Sequence, residues 1–116
     1  VLCGLEMSSV LIAQGAAPET VRGLAGMGDL LATGLAPGSH NRNLGKLLGE
    51  GRTLAEVEAD KGWLPEGARA TPLFHARAEA QGQEAPLLRF LNDVLAGAKP
   101  DSARLIEAFR TAARSV

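Results

Sequence analysis

The chain has 116 residues, enough for one domain with a modest core, and a hydrophobic fraction of 46% sets it apart from disordered sequences. A net charge of −1, with acidic and basic residues mixed along the chain, leaves no basic face for nucleic acid. The single cysteine, Cys3, has no internal disulfide partner, no Cys/His spacing suits a metal, and no apolar run reaches the roughly 18 residues of a membrane span, so the sequence reads as cytoplasmic.

The chain opens with Val1 and runs straight into the apolar pattern of VLCGLEMSSVLIAQG, with no capping residue before it. That start is expected of a piece of a longer protein; removal of an initiator methionine is the alternative. Leu2, Leu5, Val10 and Leu11 mark the inner stripe of a first helix ending near Gly15, and Pro18 suits the first turn of a short second one. A third begins at Asp29 (DLLAT). Residues 43–50 predict a helix with Leu44, Leu47 and Leu48 facing inward and Gly51 as its stop. Thr53 with Glu56 reads as a capping box for a helix ending at Gly62. Residues 66–81 supply another, with Thr71-Pro72 as its firm start. Pro86 starts the next, with Leu87, Leu88, Leu91, Val94 and Leu95 inward and Gly97 at its end. Asp101 caps the last, whose Leu105, Ile106 and Phe109 form one face. The expected fold is all-α, a bundle of about six or seven short helices joined by Gly/Pro turns.

Three places invite a functional reading. Gly23, Gly26 and Gly28 fall within six residues, where each glycine in helical sequence costs about 1 kcal/mol against alanine, so a close backbone or ligand approach is implied. Asp29 follows at once, either as a plain N-cap or as an acceptor for a substrate hydroxyl or an ammonium group. Ser39, His40, Asn41 and Arg42 set donors ahead of the helix carrying Leu44, an arrangement suited to phosphate or to an ordinary solvated cap. Glu66 follows Leu64-Pro65 at a helix start, where a carboxylate is favoured by the dipole alone. His75 reads as structural, Trp63 as a packing anchor over its turn, and Cys3 as an inert core thiol.

The run Gly23-Leu24-Ala25-Gly26-Met27-Gly28-Asp29-Leu30, followed by Thr33 and then by Ser39-His40-Asn41-Arg42, resembles NAD(P)-dependent glycerol-3-phosphate dehydrogenase. The similarity continues through Leu47-Leu48-Gly49, Gly51 and Glu66-Gly67 and covers essentially the whole chain. It implies the C-terminal helical substrate domain of that family over residues 1–116, of the 6-phosphogluconate dehydrogenase C-terminal-like type, with an N-terminal Rossmann domain and the catalytic lysine both upstream of Val1. The implied reaction is reduction of dihydroxyacetone phosphate to sn-glycerol 3-phosphate with NADH or NADPH, in an enzyme expected to be a homo-oligomer. By the same resemblance, Asp29, Ser39, His40 and Asn41 bind substrate, while His40, Leu64 and Glu66 contact NAD or NADP. The isolated segment is expected to lack activity.

Two departures stand out. His40 occupies a position where the family usually has arginine, and imidazole cannot offer phosphate a bidentate fork. Arg42 is the nearest cation in sequence that could compensate. Gly34 stands where a cysteine is common, and Pro37-Gly38 adds a turn. A stand-alone helical interaction module without catalysis is the competing reading, and a relative within the wider hydroxyacid dehydrogenase superfamily is a third.

Overall fold

The computed structural model describes residues 2–115, and Val1 and Val116 lie outside them. Among the described residues eight α-helices follow one another: α1 (Leu2–Ala13), α2 (Pro18–Arg22), α3 (Asp29–Leu35), α4 (His40–Gly49), α5 (Leu54–Lys61), α6 (Glu66–Ala80), α7 (Pro86–Leu95) and α8 (Ser102–Arg114). A π-helical turn, Leu24–Gly28, joins α2 to α3, and the described residues contain no strand. The all-α expectation holds. With the π turn counted apart, the eight α-helices of the described residues are close to the six or seven short helices expected.

That stretch explains its own glycines. A side chain at Gly26 would collide with the Val21 carbonyl of α2, and one at Gly23 would lie 2.7 Å from the Glu19 carbonyl. Gly4 on α1 is likewise filled from outside by the Met27 thioether. The π turn therefore nests backbone to backbone against α2, and its Met27 side chain lies on the bare Gly4 backbone of α1, approaches that residues lacking Cβ permit.

Three apolar clusters hold the rest together. Leu44, Leu48, Val57 and Ala68 join α4, α5 and α6, with Val57 fully buried. Leu87, Phe90, Ala108 and Ala112 join α7 to α8. Val10, Ala78 and Ala85 join α1 to α6 and the start of α7. Val94 packs against the first two clusters and makes them continuous.

Several helix boundaries differ from the expectation. α4 begins at His40, so the polar run is its first turn, and Ser39 is its N-cap, accepting the Arg42 N–H at 3.3 Å. α6 is helical from Glu66 and passes through the exposed Pro72. Its early start is supported from outside, since the Gly67 N–H donates to Asn41 Oδ1 at 3.1 Å, and from within by Thr71 Oγ1 donating to the Gly67 carbonyl at 2.7 Å. Asp29 is not an N-cap: α3 grows directly out of the π turn, so Gly28 is already helical and no side chain caps the junction. Cys3 is exposed on α1 and is not a core thiol, although partial burial pushes its pKa up. Leu91, Ile106 and Phe109 are also exposed; α8 turns Ala108 and Ala112 inward against Leu87 and Phe90 of α7, with Leu105 packed beside them.

The expected capping box is present at α5. Thr53 Oγ1 accepts the Glu56 N–H at 3.2 Å and the Thr53 N–H donates to Glu56 Oε2 at 2.7 Å. α5 ends on Gly62 with φ of +74°, a left-handed residue that turns the chain sharply into Trp63-Leu64-Pro65.

Candidate functional site

Two helix starts meet. The first turn of α4 carries Ser39, His40 and Asn41; the first turn of α6 carries Glu66 and Gly67. They are 26 residues apart in sequence and are joined by the Asn41–Gly67 hydrogen bond. Gly67 leaves no space there for a side chain, because a Cβ would come within 2.5 Å of Asn41 Oδ1. With its oxygen committed, Asn41 keeps its amide N–H₂ as a free pair of donors.

The segment between Gly62 and Glu66 closes one side of this meeting point. The His40 imidazole meets the Trp63 indole edge-on, ring centroids 4.7 Å apart and planes at 83°. Trp63 is 44% exposed, and the ring it packs against is that of His40. Leu64 is half-buried and packs on the Leu44–Val57 cluster. His40, Asn43, Lys61 and Trp63 rim a notch of about 30 Å³ whose floor includes Leu44 and Val57.

Arg42 does not face that notch. Its Nη1 donates to the Leu35 carbonyl at 2.9 Å, closing the C-terminus of α3. Arg42 is therefore committed to a structural contact, and Lys61 is the basic residue that lines the notch. Asp29 stands exposed at the start of α3, with its backbone carbonyl accepting from Thr33 Oγ1 at 2.7 Å. No described contact links its carboxylate to Ser39, His40 or Asn41.

Sequence reasoning thus found the two polar turns and missed what binds them. Neither the Asn41–Gly67 bond nor the His40–Trp63 pair has a local signature. The one available hint was a lone tryptophan placed directly after a helix-stopping glycine. His75, expected to be structural, sits with Nδ1 3.7 Å from Glu79 Oε2 on the same helix, away from this site. Among the described residues no cluster of three or more His, Cys, Asp or Glu could hold a metal ion, and no helix is long and apolar enough to cross a membrane.

The architecture defines a class: an all-α domain that offers polar groups at two abutting helix starts and leaves them open on one side. Comparison makes the class specific. The family described as NAD-dependent glycerol-3-phosphate dehydrogenase C-terminus matches residues 2–105. The chain belongs to that family.

Among curated proteins it is similar to glycerol-3-phosphate dehydrogenase [NAD(P)+] of Erythrobacter litoralis, 45% identical over 86 residues, covering 74% of this chain and 26% of that protein. The enzyme of the same name from Leifsonia xyli is 44% identical over 94 residues, 80% of this chain and 25% of its own length. That from Geobacter sp. is 36% identical over 102 residues, 88% of this chain and 30% of its own. The chain therefore spans about a quarter of the length of the curated relatives it matches. No solved structure matches it.

Proposed function

We propose that this chain is the substrate-side domain of an NAD(P)-dependent glycerol-3-phosphate dehydrogenase that reduces dihydroxyacetone phosphate to sn-glycerol 3-phosphate. The observation that carries the reading is the Asn41–Gly67 hydrogen bond, which unites the Ser-His-Asn-Arg and Glu-Gly motifs at one place. Ser39, His40 and Asn41 receive the phosphate on hydroxyl, imidazole and amide groups at the positive end of α4. Asp29 presents its carboxylate to the reacting end of the substrate once the remainder of the enzyme closes over it.

The cofactor fits as a flanking partner only. The notch beside His40, about 30 Å³, cannot enclose a dinucleotide, whereas His40, Leu64 and Glu66 could border one held elsewhere. When bound, the reduced nicotinamide supplies the hydride. This chain's contribution is to hold and orient the phosphorylated substrate, which is worth rate because hydride and proton must arrive in one geometry. The segment alone is therefore inactive in this reading, and the setting is a cytoplasmic homo-oligomer. The exposed Leu24, Leu35 and Leu73 supply apolar surface for association.

A chimera tests the reading. Residues 2–115 replace the matching C-terminal region of the Erythrobacter litoralis enzyme, and oxidation of NADH or NADPH with dihydroxyacetone phosphate is followed. Turnover that is lost on Ser39→Ala and Asn41→Ala together supports the assignment. A folded chimera that binds cofactor but shows no phosphate-dependent turnover would leave the helical interaction module as the better reading.

A further inference from the structure

Among the described residues no hydrogen bond holds either ring nitrogen of His40, so both are available to a ligand. What fixes the ring is the edge-on contact with Trp63, at 4.7 Å and 83° within the preferred range for such pairs. Trp63 is itself placed by the left-handed Gly62 before it and by Leu64, which is pinned to the core, after it. A two-torsion aromatic side chain held at both flanks is a stiff support for a neighbouring ring. The same notch includes Lys61, the last residue of α5, while the guanidinium of Arg42 is turned away to Leu35. An imidazole carries no fixed charge at neutral pH, whereas a lysine ammonium does.

We propose that Trp63 positions His40, and that Lys61 supplies the permanent positive charge, for a phosphate group bound at the mouth of the His40–Lys61–Trp63 notch. The proposal rests on the reading above that His40 meets phosphate, and it adds two residues that neither motif contains. The notch has room for about two water-sized groups, so a phosphate enters with its oxygens and keeps its ester outside. His40 then donates from one ring nitrogen, Lys61 offsets the charge, and the indole keeps the imidazole from rotating away.

The test is a titration of the 116-residue chain with glycerol 3-phosphate and, separately, with NAD+, followed by NMR. Trp63 is the only tryptophan and His75 the only other histidine, so the indole N–H is a single reporter and the His75 ring an internal control. Glycerol 3-phosphate is expected to move the His40 and Trp63 signals with one Kd and leave His75 in place. Trp63→Leu should raise that Kd about five- to tenfold, the cost of freeing one ordered side chain, and Trp63→Phe should restore most of it. Lys61→Gln should raise it about two- to fivefold and flatten its salt dependence. In a His40→Ala background the Trp63→Leu effect should vanish, which a purely structural role would not produce.

Binding with an unchanged Kd in both Trp63→Leu and Lys61→Gln would overturn this inference while leaving the phosphate reading intact. A His40 signal unmoved by either ligand would overturn both. Movement with NAD+ alone, showing the same dependence on Trp63 and Lys61, keeps the notch and assigns it to a cofactor phosphate.

Discussion

The carboxylate of Glu6 on α1 accepts the backbone N–H of Leu88 at 2.6 Å through Oε1, and that of Leu87 at 3.1 Å through Oε2. α7 has no side-chain cap of its own, and Pro86 at its first position has no N–H to satisfy. Glu6 therefore caps, from 81 and 82 residues away, the two amide groups that the helix leaves open, and it ties the first helix to the seventh. Glu6→Ala should cost about 2 kcal/mol in urea unfolding, because two buried-edge donors lose a charged acceptor. Glu6→Gln, which retains one acceptor oxygen, should cost about half as much.

Glycines in the π turn and in α3 should respond oppositely. Gly26→Ala drives a Cβ into the Val21 carbonyl, a backbone atom that cannot swing aside, so a loss of about 2–3 kcal/mol is expected. Gly34→Ala meets nothing within 4 Å inside α3 and should gain up to about 1 kcal/mol through helix propensity. Thermal unfolding of the two variants, followed by circular dichroism, checks the contrast. Equal effects would mean that the π turn is not packed on α2 as described.

Gly67→Ala separates stability from binding. The new methyl displaces the Asn41 side chain, losing a hydrogen bond of about 1 kcal/mol, while alanine returns a similar amount of helix propensity to α6. The melting temperature should therefore change little. Affinity for glycerol 3-phosphate should fall several-fold, because Asn41 no longer holds its amide toward the site. Wild-type affinity in this variant would show that the Asn41–Gly67 bond does not organise binding.

Glu56 gives a pH dependence whose sign is fixed by its partners. The Thr53 backbone N–H, and then the Thr53 hydroxyl, hold its carboxyl below the usual glutamate range. A lowered folded-state pKa means that the unfolded chain takes up the proton first. The capping box thus stabilises α5 above the ordinary glutamate range and loses that contribution as pH falls through the lowered value. Glu56→Gln should remove this part of the acid dependence, and unfolding midpoints measured across the acidic range would then differ less between the variant and the native chain at low pH than at neutral pH.

Asp29 is exposed, and none of its neighbours depends on its carboxylate for a cap. Asp29→Ala should leave stability within about 0.5 kcal/mol, as surface changes usually do. In the chimeric dehydrogenase the same change should depress turnover strongly if the carboxylate orients substrate. Undiminished turnover would remove Asp29 from the site.

Much of this molecule is local in origin and was legible as such. Apolar spacing gave the helices, Thr53 and Glu56 gave their capping box, Asp101 gave its cap on the Ala103 N–H at 2.8 Å, and the glycines marked the turns. Each of these depends on residues within a few positions of one another, so a linear pattern contains the whole cause. The family resemblance was likewise written in contiguous motifs. What tertiary structure decided is everything that needs two distant segments at once. Glu6 caps α7, Asn41 starts α6, Arg42 closes α3 in place of facing phosphate, and Trp63 meets His40. An orphan backbone N–H or a solvent-facing ring takes whichever partner the packed helices bring within about 3–5 Å, and that neighbour is chosen by the burial of Val57, Leu44 and their cluster, not by sequence separation.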